Sequence, residues 1–310
     1  MTDRADGDRG SPVTKAGYVT LVGRPNAGKS TLLNALVGET LSIVTPKAQT
    51  TWERVTGIRS DEATQYVFLD TPGLLEVRDL HQRAMLAAAR TALEDADVVL
   101  VIVDATRPLD ELRRDVVTDS LALSRAPRVV AINKVDSASA EALQAAKAWV
   151  RDELHGEPVQ ISATEATGLD HLLEALRAAL PESPFLFDAD DLATQPVRFF
   201  VAELVRETVF EQYEQEIPYA VAAQVEEFRE DRDPVYIGVS LFVEQKSQKG
   251  IMIGHKGQAI RSLGMAARQK IETFLGRPVY LDLWVKPLQG WRRKRGHLAR
   301  LGYRVPEDPA

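Results

Sequence analysis

Cysteine is absent from the 310-residue chain, which removes disulfide frameworks, thiolate nucleophiles and Cys-ligated zinc or iron–sulfur centres together. Long apolar runs are missing too. The longest, Val98 to Val103, falls far short of the roughly 20 residues that a bilayer-spanning helix needs. Residues 1–17 are polar and mixed in charge, without the apolar core of a secretory signal. Positive charge is in deficit, with 38 Lys plus Arg against 45 Asp plus Glu and a formal net charge of −7. These absences lead to the expectation of a soluble protein of a reducing, cytoplasmic compartment. The length suggests two domains, each able to bury a core without covalent staples.

A net negative charge argues against a nucleic-acid partner only if it is evenly spread. Residues 1–182 carry 20 basic and 27 acidic side chains, residues 183–245 carry 4 and 14, and residues 246–304 carry 14 and 2. The last segment, whose acids are Glu272 and Asp282, has a basic footprint suited to phosphate backbones. An ordinary solvated face is the plainer explanation of a charge run, and an excess of this size argues against it.

The apolar pattern changes near residue 181. Before it, strand-like segments (Tyr18–Val22, Gln65–Leu69, Asp97–Val103, Arg128–Ile132, Pro158–Ile161) alternate with helical ones (Ser30–Val37, Asp110–Ser124, Ser139–Glu153, Leu169–Leu180). That alternation predicts a doubly wound, mainly parallel α/β sheet. Pro181-Glu-Ser-Pro184 reads as the start of a linker. Beyond it, Val197, Phe200, Val201, Leu204, Val205 and Thr208 recur at helical spacing. Strict alternation over Val235–Val243 and Val279–Val285 predicts half-buried strands, and Ile260, Leu263, Ala267, Ile271 and Phe274 predict a helix between them. This is a small α+β domain.

Gly23-Arg24-Pro25-Asn26-Ala27-Gly28-Lys29-Ser30 matches G-x-x-x-x-G-K-[ST] and lies between a strand and a helix. Backbone N–H groups of such a loop wrap phosphates, Lys29 supplies a point charge, and Ser30, followed by Thr31, offers a hydroxyl to Mg²⁺. Asp70-Thr71-Pro72-Gly73 follows a strand. Alone it would more often be a simple turn; after a phosphate loop, Asp70 can hold Mg²⁺ through water and the Gly73 N–H can meet a γ-phosphate. Asn133-Lys134-Val135-Asp136 also follows a strand. Its aspartate can accept both the N1–H and the 2-amino group of guanine, whereas adenine would leave it unpaired.

Taken in order with Ser162-Ala163, these motifs resemble the translation-factor-like class of small GTP-binding domains. The resemblance implies that Asn133 and Asp136 read guanine, that Lys134 packs across the base, and that Ala163 gives a backbone N–H. It makes Gly38–Trp52 the first switch, with Thr51 favoured over Thr50 as the threonine closing on Mg²⁺. Lys29, Thr51 and Gly73 are then the groups that carry hydrolysis. Leu74 stands where many GTPases place a water-orienting glutamine, so slow intrinsic turnover is expected. Asn26 suggests a substitute, coordination of K⁺; a loop-stabilising role for it weighs equally.

Ile253-Gly254-His255-Lys256-Gly257 lies inside the basic segment, is read as following a strand, and opens a helix that carries Arg261. It looks like the Gly-x-x-Gly loop of a type II KH domain, which clamps about four nucleotides of single-stranded RNA. The residues after Gly290, including Arg292-Arg293-Lys294-Arg295, could extend the RNA path or touch an anionic membrane.

The combination, with Pro46-Lys-Ala-Gln-Thr-Thr51 and Gly254–Gly257, resembles the Era family of bacterial ribosome-assembly GTPases. It implies a disordered N-terminus (1–16), a P-loop GTPase domain (17–182), a linker (183–196), a type II KH domain (197–290) and a basic tail (291–310). The implied protein is a monomer that binds GTP and GDP, 16S rRNA near its 3′ end and the 30S subunit, assists subunit assembly and rRNA maturation, and contacts the inner membrane face at most peripherally. A tRNA-modifying GTPase and a membrane-docked signalling GTPase are the rival readings. The first needs a C-terminal cysteine that this chain lacks.

Overall fold

The computed structural model describes residues 13–47, 49–72, 77–108, 121, 122 and 124–307. Gly73 and Leu74 lie outside them, as does most of the helix expected over 110–124.

Among the described residues, the amino-terminal half is built on six strands: β1 (Lys15–Val22), β2 (Val55–Ser60), β3 (Thr64–Asp70), β4 (Val98–Asp104), β5 (Arg128–Asn133) and β6 (Val159–Gln160). Their order is β2-β3-β1-β4-β5-β6. Only β2 runs antiparallel, beside β3. Every residue of β3 and β4 is buried, which is why their sequences read as apolar runs without alternation. Helices α1 (Lys29–Val37), α2 (Leu80–Glu94), α3 (Ala140–Leu154) and α4 (Leu169–Ala179) accompany the sheet.

Residues 183–196 form neither helix nor strand and lie as a strap along the outer edge of the sheet. Gln65, fully buried, donates to Phe187 O and accepts from the Leu186 and Phe187 N–H groups. Ile58 N donates to Leu192 O at 2.8 Å. The Thr56 N–H reaches Gln195 Oε1 at 3.2 Å, and Gln195 Nε2 reaches Arg54 O at 3.0 Å. The unpaired edge of β2 is thereby covered.

The second domain follows the order α5 (Val197–Gln212), α6 (Ile217–Ala220), β7 (Val221–Arg229), β8 (Val235–Val243), α7 (Lys246–Ile253), α8 (Gln258–Leu275) and β9 (Val279–Pro287). Its sheet is β7-β8-β9, antiparallel between β7 and β8 and parallel between β8 and β9. This mixed pairing agrees with the type II KH arrangement. Val201, Val205 and Val209 of α5 pack with Ile237, Val239 and Leu241 of β8 and with Leu263, Ala267 and Ile271 of α8.

Two expectations are corrected. β8 is not half-buried: it is the central strand, and all its residues but Tyr236 are buried. The second face is closed because Gly238 leaves room for the Trp284 ring, and because Phe242 packs in a cluster with Trp291 and Leu298. The Gly-x-x-Gly loop does not follow a strand directly, since α7 intervenes. A reciprocal cap between Gln245 and Gln248 starts that helix, and its Lys-Ser-Gln-Lys-Gly opening carries no apolar period to betray it.

Candidate nucleotide site and nucleic-acid interface

The described nucleotide-site candidates lie at or just beyond the carboxyl ends of β1, β3, β5 and β6, the edge where open α/β sheets bind ligands. Gly23–Thr31 turns from β1 into α1, whose first turn has no side-chain cap. Its amino-terminal N–H groups are therefore left to an anion. Gly28 sits at φ 93°, and a Cβ there would fall 2.3 Å from Asn133 Nδ2, so only glycine fits. Lys29 Nζ donates to Gly23 O at 2.9 Å and Arg24 O at 3.1 Å, folded back along the loop that would hold the phosphates. A cavity of about 700 Å³ opens above, lined by Asn26, Lys29, Thr31, Thr50, Asp104 and Lys134 among others.

Ser30 Oγ donates to Asp70 Oδ2 at 2.7 Å and lies 3.1 Å from Thr51 Oγ1, which is itself 3.5 Å from Asp70 Oδ2. Asp70 is fully buried and, among the described residues, its Oδ1 has no partner. Burial pushes its carboxyl above the ordinary range, and Lys29 and the hydroxyls around it pull it back. A buried carboxylate with a spare oxygen beside two hydroxyls is a donor set for a hard cation that keeps waters and takes phosphate oxygens, as Mg²⁺ does. Ser30, Thr51 and Asp70 would hold it, and when bound it neutralises charge on the phosphates.

The structure separates the two threonines. Thr51 faces Ser30 and Asp70, while the Thr50 carbonyl accepts from Arg206 Nη2 at 2.5 Å. Thr51→Ala is expected to slow single-turnover GTP hydrolysis by about 10²-fold, the cost of losing one interaction made in the transition state. Thr50→Ala should leave it within about twofold, and single-turnover rates across a Mg²⁺ titration check both.

At the base end Asp136 is exposed, and its carboxyl is held below its ordinary range, first by a hydrogen bond from Ser137 and then by Ser162. Lys134 sits at φ 64° and its Nζ reaches Asp104 Oδ2 at 2.7 Å. Burial raises Asp104, but hydrogen bonds from Lys134 and Thr106 outweigh it and leave the carboxyl low. Asn133 lies between the phosphate loop and the turn at Ser162-Ala163. Its Nδ2 donates to Ala27 O at 2.9 Å and its Oδ1 accepts from Ala163 N at 3.0 Å. It is a buried tie between the phosphate loop, β5 and the Ser162-Ala163 turn, and it occupies the Ala163 N–H assigned to the base. Ser162 Oγ accepts from Glu165 N within its own turn. Thr71 Oγ1 donates to Leu21 O, so that residue secures β3 to β1. Asp104 was not among the sequence candidates, although it ends β4 as Asp70 ends β3.

In the second domain Gly254–Gly257 joins α7 to α8, with His255, Lys256 and Arg261 exposed and Ile253 half-buried. Gly254 adopts φ 70°, ψ −179°, and a Cβ there would meet Ala259 Cβ at 2.6 Å. Ile251 of α7 and Met265 of α8 are exposed apolar side chains, 52% and 61% accessible.

The segment after Gly290 does not hang free. Trp291 is fully buried and donates to Ala220 O at 3.0 Å, while Arg292 pairs with Asp79 at 2.7 Å. His81 of α2 packs edge-on against Trp52, Trp291 and Tyr303. Burial, with Arg292 and Arg206 nearby, lowers the His81 pKa to about 3, so this histidine is neutral under the pH of a cell. Arg206 of α5 stacks 4.3 Å over Trp52 and pairs with Glu203. Glu53, beside them, is pushed up to about 7, first by burial and then by Glu203.

A phosphate-loop nucleotide site with a KH fold packed against it defines a GTPase that carries a KH module. Residues 18–134 match the family described as 50S ribosome-binding GTPase, and residues 216–292 match the KH domain. GTPase Era of Halothermothrix orenii is 40% identical over 291 residues, spanning 94% of this chain and 99% of that one. GTPase Era of Geobacter metallireducens is 41% identical over 292 residues, spanning 93% and 98%. A crystal structure of an Aquifex aeolicus Era variant bound to GDP·AlF₄⁻ superposes with a TM-score of 0.86 at 38% identity, covering 94% of this chain and 99% of that one. A structure of Era with MgGDPNP and nucleotides 1506–1542 of 16S ribosomal RNA gives the same TM-score, identity and coverage. The chain belongs to the Era family of GTPases.

Proposed function

We propose that this chain is a GTP-hydrolysing switch that binds 16S rRNA near its 3′ end through the Gly254–Gly257 loop and assists assembly of the 30S subunit and rRNA maturation. The observation that carries the reading is the position of that loop at the head of α8, within the one strongly basic stretch of the chain. Its support outside the chain is the related Era crystallised with a 16S rRNA segment. In this reading Asp136 takes guanine, Lys134 lies along the base, and Ser30, Thr51 and Asp70 hold Mg²⁺ at the phosphates. Lys256 and Arg261 meet the RNA backbone. A GTPase assay with and without 30S subunits tests the whole: stimulation is expected, and no RNA binding with no stimulation would overturn it.

Slow intrinsic hydrolysis follows from Leu74, which cannot orient water. Positive charge at the transition state must then come from elsewhere. Asn26 stands at φ 64° with its Nδ2 3.2 Å from Pro46 O, between the phosphate loop and the loop carrying Thr51. K⁺ held there by Asn26 would supply that charge. Hydrolysis is expected to be at least about tenfold faster in K⁺ than in Na⁺ buffer, a modest part of what a cation at this position provides. Equal rates sink the K⁺ role.

Contact with an anionic membrane would be peripheral and electrostatic. Among the described residues no helix is long and apolar enough to cross a membrane, and Trp291 and Leu298 are buried within the protein.

A further inference from the structure

Asp104 is the one acidic side chain among the described residues lining the nucleotide cavity, whose other charged groups are Lys29, Arg107 and Lys134. A carboxylate at a site for phosphates opposes the ligand's charge unless a cation occupies it. Asp104 is 4% exposed and ends β4, directly opposite Asn133 on β5. Lys134, the next residue after Asn133, leaves the sheet beside it.

Both of its carboxylate oxygens are committed. Oδ1 accepts from Thr106 N at 2.9 Å and from Thr106 Oγ1 at 2.6 Å, a local turn that fixes how the side chain stands. Oδ2 is thereby left to the Lys134 ammonium at 2.7 Å, with Arg107 Nε farther off at 3.8 Å. The same hydrogen bonds keep the carboxyl ionised. A lysine chain has four rotatable bonds and much freedom to lose when a ligand orders it. With its ammonium tied at Asp104, the methylenes of Lys134 are already laid out on the cavity wall.

We infer that Asp104 is a positioning residue of the nucleotide site, which anchors the Lys134 ammonium so that its methylenes lie along the base and its charge is withheld from the phosphates. This inference rests on the reading that Lys134 lies along guanine. The anchored chain meets the base without losing further rotamer freedom, which is preorganisation. The ion pair also neutralises the base end of the cleft. Lys29 and the amino terminus of α1 then remain the place where phosphate is favoured. One end of the cleft takes anions and the other takes a purine. An asparagine at 104 has a single acceptor where Thr106 and Lys134 need two, so its NH₂ must oppose a donor.

The test titrates the full chain with a fluorescent GDP and competes it with GTP and with inorganic tripolyphosphate, all with Mg²⁺. The isosteric Asp104→Asn should weaken GDP and GTP alike by about tenfold, the loss of one charge-assisted hydrogen bond. Tripolyphosphate, which has no base, should bind at least as well as it does to wild type, because the released ammonium attracts it. A merely structural aspartate would weaken all three ligands together. Lys134→Met should weaken GDP by a similar factor. The double variant should match the weaker single variant to within about twofold, as expected of two residues that act through one contact. Losses that multiply in the double variant, an equal fall for tripolyphosphate, or a GDP affinity within about twofold of wild type in Asp104→Asn overturns the inference. Unchanged GDP affinity in Lys134→Met would instead overturn the reading of Lys134 on which it stands.

Discussion

Asp136→Asn is expected to turn a guanine site into a xanthine site. Guanine offers two donors on one edge, N1–H and the 2-amino group, and a carboxylate offers two acceptors to match them. An asparagine replaces one acceptor by an NH₂ that opposes the 2-amino group, whereas xanthine carries a carbonyl there. Hydrogen bonds to a charged partner are worth about 1.5–3 kcal/mol each, and an unmet buried donor costs a similar amount. Affinity for GTP should therefore fall by roughly 10³-fold while affinity for XTP rises, as displacement of a fluorescent nucleotide would measure. A loss of GTP affinity of only a fewfold would sink the assignment. Asn133→Ala should behave differently. Its amide joins Ala27 to Ala163, so its removal should lower thermal stability and affinity for every nucleotide without changing the preferred base.

The second large effect belongs to the other domain. Gly254→Asp together with Lys256→Glu is expected to weaken binding of the 16S rRNA segment by on the order of 10²-fold or more. Gly254 lies in a backbone region that is essentially reserved for glycine, at φ 70° and ψ −179°. A side chain there must displace Ala259 at the head of α8. Lys256→Glu then reverses a charge where phosphate is expected, so the salt dependence of binding should become shallower by about one unit of slope for each phosphate no longer neutralised. GTP hydrolysis without RNA should stay within about twofold of wild type, since neither residue is near the nucleotide cavity. Unchanged RNA affinity would falsify the KH reading.

The nucleotide site was legible because its parts are local. A phosphate loop, an Asp-x-x-Gly and an Asn-Lys-x-Asp are each short, contiguous stretches of sequence, and β1, β3, β4 and β5 announce themselves as apolar runs. What escaped was set by contacts distant in sequence. β2 is interrupted by Gly57, which is there because Leu33 and Val37 of α1 press against it. α2 buries His81, three alanines, Met85 and Leu93, too weak a stripe to stand out from its polar face. The structural partners of Asn133, Ala27 and Ala163, cannot be seen from the tetrapeptide. Arg206 and Glu207 sit on what reads as an ordinary amphipathic helix, and Lys47 on a polar loop. Their contacts with the other domain, from Thr50, Val44 and Lys47, appear only when the two domains meet. Charge counting located the basic KH half, but it could not show that Trp291 and Arg292 at its end face α2 while Arg293, Lys294 and Arg295 stay exposed.

The strap and the Trp291 cluster together fasten the KH domain at both ends of its chain. Residues up to Gln195 pin the entry to α5 against β2, and Trp291 pins the exit from β9 beside His81. A domain on a single tether takes its orientation from its linker; one anchored at both entry and exit takes it from the body that anchors it. Val44, Lys47 and Thr50 add contacts to α5 between the same two bodies.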